Sequence, residues 1–117
     1  MRLRNTLAVA LCPLVLAGCW ANILQEGADS VVIVNTLPEN LACTFRGEVV
    51  GSQGNAVTGR VTMTKTLVTG ARNDLRNEAL ARGANVVVIT DTYQDQFESG
   101  AIRAITYVGK SYRCAPR

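Results

Sequence analysis

Residues 70–92, GARNDLRNEALARGANVVVITDT, constrain this chain more than any other stretch. Within a few residues the apolar pattern changes from a helical period to a continuous run. Leu67, Val68, Ala71, Leu75 and Ala79 fall close to one face of a 3.6-residue repeat, while Arg72, Asn73, Arg76 and Asn77 fall on the other side and are expected in water. Leu80 lies off the stripe. Thr69 or Gly70 is the candidate N-cap. Glu78 and Arg82 have the spacing of an i,i+4 ion pair, worth about 0.3–0.5 kcal/mol. Gly83 follows the last periodic residue, where a left-handed backbone ends a helix without a Cβ clash, and Ala84 is expected to pack back on Ala79. Val86, Val87, Val88 and Ile89 then form a β-branched run that suits a pleated strand. Its unbroken apolarity predicts an inner strand covered on both faces.

Other strands are laid beside this unit. Residues 29–35 contain Val31, Val32, Ile33 and Val34, a second apolar strand, and Pro38 in the following loop ends it. Residues 44–51 read as the next strand, with Gly47 suggesting a bulge or a close backbone approach. Residues 101–114 read as a long strand. Ile102, Ala104, Val108, Tyr112 and Cys114 share one face of it, Ile105 and Tyr107 the other, and Gly109 is a second bulge candidate. Between the last two strands, residues 93–99 read as a solvated hairpin loop; Asp91, Asp95 and Glu98 lie near it without the spacing of an EF-hand. Residues 52–66, rich in Gly and Thr, read as a loose hairpin or ordered loop in which residues 60–64 alternate like an edge strand. Long loops of this kind are often functional, so binding would be sought there first. The order β-β-α-β-β gives an α+β fold: a small, about four-stranded, mainly antiparallel sheet with one helix packed on one face. No second helix is available for the opposite face, which is the physical hint of a partner.

The N-terminus carries an address. Arg2 and Arg4 precede an apolar run over residues 7–16 and then small residues, the pattern of a secretory signal and too short for a transmembrane helix. Leu16-Ala17-Gly18-Cys19 resembles a bacterial lipobox. That resemblance implies cleavage before Cys19, a diacylglycerol on its thiol and an acyl chain on its new amine. Three acyl chains hold a protein firmly on a membrane. Trp20 follows, where an Asp would imply inner-membrane retention, so the resemblance implies an outer-membrane lipoprotein with its domain facing the periplasm. The organisation is then a signal peptide over residues 1–18, a lipidated N-terminus and short tether over 19–28, and one domain over 29–117. Residues 20–27 reach at most about 28 Å when extended. Removal of Arg2 and Arg4 leaves ten basic against nine acidic residues, so the net charge of +3 of the whole chain does not point to nucleic acid.

Cys12 is discarded with the signal. Cys43 and Cys114 remain, and a lone pair in an oxidising compartment predicts a disulfide. Closing so long a loop stabilises by roughly 4–5 kcal/mol in the chain-entropy model. A redox or metal role finds no CxxC and no histidine to help it. The absence of histidine also removes Ser-His-Asp, Cys-His and His-ligated metal chemistry. There is no P-loop and no GxGxxG. Lys110 and Ser111 are strand neighbours and point to opposite faces. Trp20, Phe45, Tyr93, Phe97, Tyr107 and Tyr112 are too few aromatics for a sugar-stacking platform. The reading is of a non-enzyme with no catalytic residue, metal site or cofactor.

The motifs in place resemble a family of small Gram-negative lipoproteins, the YjeI-like ones. The resemblance rests on Cys43 with the stretch GEVVGSQGN at residues 47–55, on ARNDLRNEA at 71–79, and on Gly83-Ala84-Asn85. It covers nearly all of residues 29–114. More distantly the chain is similar to RcsF-like lipoproteins, outer-membrane sensors of envelope damage, through a GxVxG-type strand, an Arg–Leu–Ala helix ending in GAN, and a late strand ending in Cys. Cytoplasmic YbjQ-like domains share the helix and GAN pattern. RcsF-like proteins have a long proline-rich tether and four domain cysteines; this chain has a short tether and two, so their threading through barrel proteins is not implied. The resemblance implies an envelope protein-binding accessory or stress-sensing component. The alternatives are a binding module for a metal, an anion or a glycan fragment, with the acidic hairpin or Arg72 and Arg76 as its surface, and an architectural lipoprotein.

Overall fold

The computed structural model describes residues 22–54 and 64–117. A 3-10 turn, Ala28–Ser30, leads into β1, Val32–Val34. Then follow β2, Leu41–Gly54; α1, Thr64–Ala81; β3, Val86–Gln96; and β4, Ile102–Pro116. The four strands form one mixed sheet in the order β1-β3-β4-β2. β1 runs parallel to β3, while β3–β4 and β4–β2 are antiparallel. The α+β class, the four strands and the single helix are those expected from the sequence.

The helix packs on one face of the sheet through its expected stripe. Leu75 and Ala79 join Val31, Val49, Ala84 and Val87 in one buried cluster, and Leu67 and Ala71 join Ile105 in a second. Leu80, off the stripe, is half-buried against the first cluster, and Gly27 lies beneath it. The helix starts earlier than the sequence suggested. Thr69 and Gly70 are interior to it, and Gly70 is placed where the side chain of Gln53 lies against the helix backbone. Of the 52–66 stretch, residues 52–54 end β2 and residues 64–66 begin α1; the edge strand expected at 60–64 otherwise lies outside the described residues.

The exit from the helix follows the glycine argument closely. Gly83 has φ 75°, its N–H donates to Leu80 O at 2.9 Å, and the Ala84 N–H donates to Ala79 O at 3.0 Å. This pair of bonds closes a left-handed cap, and the buried Ala84 and Ala79 make its apolar contact. Arg82 does not meet Glu78. The guanidinium lies over Gly47, and the one ion pair among the described residues is Arg103–Asp95.

Three irregularities re-aim the strands. Gly47, at φ 112°, follows Arg46, the extra residue of a bulge in β2. The second irregularity is at Thr90, opposite Val108 and Gly109, and not at Gly109 itself. Gly109 instead serves close approach, since a Cβ there would strike Val87 Cγ1 at 2.7 Å. The third, at Arg103, turns Ile102 onto the Ile105 side, where it packs against Leu67 and Ala71. Ile102 therefore leaves the face assigned to it by simple alternation. Residues 93–96, expected in a loop, extend β3, and the turn is confined to a few residues closed by Phe97 N–H to Ala101 O. They read as loop because both of their faces are wet, which erases the apolar alternation.

The closest approach of the two layers is at Gly51. A Cβ there would come under 3.0 Å from Leu75 N and Ala71 O, both helix backbone. Neither atom can rotate away. Gly51→Ala is expected to destabilise the domain by about 1–3 kcal/mol through overpacking, read as a lower thermal midpoint; an unchanged midpoint would show that the helix rides freely on β2.

Candidate functional site

Two features set this domain apart from a plain helix-on-sheet layer. One is a strap over the helix; the other is the bare face of the sheet.

The strap is the segment just before the 3-10 turn, expected to belong to the tether. Its described part, Asn22–Gly27, is bound to the helix. The Asn22 N–H donates to Gln53 Oε1 at 2.8 Å, and its side-chain amide donates to Ser52 O at 2.8 Å and Gly70 O at 3.3 Å. The Asn22 carbonyl accepts from Asn73 Nδ2 at 2.9 Å. Asn77 holds the next turn of chain, donating to Ile23 O and accepting from the Gln25 N–H, both at 2.8 Å. Arg76 Nε donates to Val31 O at 3.1 Å, and Asp74 Oδ2 accepts the Ser52 N–H at 2.9 Å. Burial, and then the neighbouring charge of Arg72, push the Arg76 pKa below its ordinary value. The helix side expected to be wet is thus covered. Asparagine is a mediocre helix former that prefers to bond main chain. Two of them one turn apart on one face were the signal available in the sequence.

The second feature is the face of the sheet away from the helix. Ile33, Val87, Ser111 and Gly47 form one row across the four strands, and Val87 and Ser111 are fully buried beneath the helix. Ser111 Oγ donates to the bulge carbonyl of Gly47 at 2.8 Å, so this serine is structural. The adjacent row, Val32–Val86–Tyr112–Phe45, therefore points the other way. Its two ends are bare, with Val32 53% and Phe45 55% exposed. Val50 and Tyr93, on the same face by register, are 49% and 59% exposed. Phe45 meets Tyr112 edge to face at 5.6 Å. Val86 is an inner-strand residue as expected, yet it is sheltered by its neighbours in this row; among the described residues no second layer covers the face.

The cysteines and Asn85 join the strands at one end of the sheet. Cys43 and Cys114 are direct cross-strand partners and form a disulfide, with Cα atoms 4.0 Å apart. Asn85 sits beside them. Its side-chain amide accepts from Cys114 N–H at 2.7 Å and donates to Cys114 O at 2.9 Å. Its own N–H donates to Tyr112 O at 2.9 Å, and its carbonyl accepts the Val32 N–H at 3.0 Å. The sequence marked Gly83 and Ala84 by mechanism but left Asn85 without a task.

At the opposite end, Asp95 and Arg103 form a two-pronged ion pair, at 2.9 and 2.8 Å, with the guanidinium over the Phe97 ring. The hydrogen bond from Arg103 holds the Asp95 carboxyl below its usual range. A depressed value means that the pair holds at neutral pH and is lost as pH falls through the folded-state pKa of Asp95. Among the described residues no three His, Cys, Asp or Glu side chains come together as a metal cage, and no helix is long and apolar enough to cross a membrane. The signal peptide expected over residues 1–18 and the expected lipid site Cys19 lie outside the described residues.

Comparison with known proteins adds a family. The family described as Domain of unknown function (DUF4156) matches residues 22–114, which begins at the strap and ends at the disulfide. The chain is 31% identical over 116 residues to "Uncharacterized protein YjeI" of Escherichia coli strain K12, covering 97% of this chain and 98% of that protein. The same figures hold for the proteins of that name from Escherichia coli O6:H1 and Shigella flexneri.

Asn85→Ala removes both bonds to the Cys114 backbone and leaves its buried polar groups unpaired. It is expected to cost about 2–3 kcal/mol in denaturant unfolding; a loss below half a kilocalorie would dismiss the clamp. Replacing both Cys43 and Cys114 by serine is expected to cost roughly 4–5 kcal/mol, measured the same way against the oxidised chain.

Proposed function

The chain belongs to the DUF4156 family, and on that premise we propose that it is a non-enzymatic outer-membrane lipoprotein that binds another envelope protein through its bare sheet face. It acts as an accessory or stress-sensing component of the RcsF-like kind. The anchor is Cys19, acylated after removal of residues 1–18, and the domain faces the periplasm.

One observation carries the protein-binding part of this reading: the row Val32–Val86–Tyr112–Phe45, extended by Val50 and Tyr93, on a face that no described element covers. A continuous apolar surface is costly to leave in water, and a contiguous one on a small domain marks a contact site. Lys110 and Glu48 sit in the next row of this face, beside Val88 and Val34, and set a charged pair between the Phe45 row and Val50. Aromatic anchors in a polar frame are the composition of protein-binding surfaces. The lipid anchor is supported by the sequence of residues 1–19. Nothing in the described residues offers a built site that would favour the small-ligand alternative.

The test uses the full chain in its native host, with a photocrosslinking side chain at Phe45 or Val50 and, as control, at the exposed Glu78. A discrete adduct is expected from the first two and none from the third; no adduct from either sheet position would end the protein-binding reading. Val50→Lys is expected to abolish the adduct from Phe45 while changing stability by only about 0.5 kcal/mol, as exposed substitutions do. The mass of the mature chain tests the anchor separately. It should begin at Cys19 with acyl groups attached, and an unprocessed chain would refute it.

A further inference from the structure

We infer that the domain stands on the bilayer by one fixed end, oriented by the strap, with the β3–β4 hairpin turned toward the lipid and the disulfide end turned away. This rests on the lipid-anchor reading and adds an orientation to it. The bilayer surface is the partner.

Asn22 is held by four hydrogen bonds to Gln53, Ser52, Gly70 and Asn73. Asn77 then fixes Ile23 and Gln25 along the helix. Cys19 precedes Asn22 by three residues, and at full extension three residues span only about 10 Å. An acyl group on Cys19 therefore brings the bilayer to this place on the surface and to no other. Ile23, beside it, is 79% exposed, the most exposed of the large apolar side chains described.

The same end carries the hairpin. Ser52 pairs with Thr106, and Thr106 with Tyr93, so the strap begins level with Tyr93. From that row β3 and β4 continue to the turn closed by Phe97 and Ala101, about 15 Å further along at the rise of a strand. The turn reaches about 15 Å beyond that row and Cys19 at most about 10 Å, so a bilayer that holds Cys19 meets the turn as well. In the other direction β4 runs from Thr106 to Cys114 and Ala115, placing the disulfide end on the order of 30 Å away. Charge does not drive the apposition. The hairpin holds Asp91, Asp95 and Glu98 against Arg103, so a neutral lipid surface suits it best.

The test is energy transfer from single tryptophans to a lipid acceptor. The acylated chain, with Trp20→Phe to remove the native tryptophan, carries either Phe97→Trp or Ala115→Trp. It is reconstituted in phosphatidylcholine vesicles containing dansyl-labelled lipid. The Phe97→Trp protein is expected to lose most of its emission to the lipid and the Ala115→Trp protein to keep most of its own. Adding Asn22→Ala, Asn73→Ala and Asn77→Ala removes every side-chain bond to the strap except that of the residue-22 N–H to Gln53, and should make the two reporters more alike. Equal transfer from both reporters in the intact strap, on protein that floats with the vesicles, overturns the orientation and leaves the anchor standing. Acylated protein that does not float overturns both. If the strap variant fails to fold, the two reporters in the intact chain still decide.

Discussion

The sheet depends on what Asn85 does with its four hydrogen-bonding groups. Its peptide N–H and carbonyl reach β4 and β1, and its side-chain amide pairs with the backbone of Cys114 as another strand residue would. One residue thereby holds β1, β3 and β4 in register at the point where the chain leaves the helix. The left-handed backbone at Gly83 is what aims Asn85 there, and the Ala84–Ala79 contact seals the corner from water. The disulfide then adds β2 to the same end. Turn, clamp and covalent bond are three ways of fixing one corner, placed within a few residues of each other.

How much of this is legible in the sequence depends on range. The helix stripe, the Gly83 exit and the β-branched strands are local patterns, so they read correctly. Gly70 was misread because its lack of a side chain serves a contact with Gln53, 17 positions earlier in the chain, and not a helix terminus. Asn73 and Asn77 look like a wet surface because their partners, Asn22, Ile23 and Gln25, are 51 to 54 residues distant and are backbone groups, which leave no complementary side-chain pattern. The lengthening of β3 past Ile89 was hidden for a different reason. Its later residues, Thr90 to Gln96, are exposed on both faces, and only pairing with β4 identifies them as strand.

The two faces of the sheet are treated unequally. The covered face has a helix, which is itself covered by the strap; even its polar side is occupied, by amide-to-backbone bonds and not by apolar contact. The other face has a four-residue apolar row and no cover among the described residues. The chain binds its own N-terminal segment through Asn73 and Asn77 on one side and leaves Val32 and Phe45 bare on the other. The lipid reading and the protein-binding reading accordingly use different surfaces and do not compete.

The strand order has a consequence for when the sheet can close. β4 is the last of the described strands in the chain, yet it lies between β3 and β2, and among the described strands β2 has no other partner. Until the C-terminal strand is available, β2 is unpaired among the described strands and Cys43 has no partner to bridge. The sheet can close only once residues up to Pro116 are in place. Closure of loops of this length is slow compared with local helix formation. The topology thus makes β4 the closing element of the sheet and the disulfide a late step of assembly.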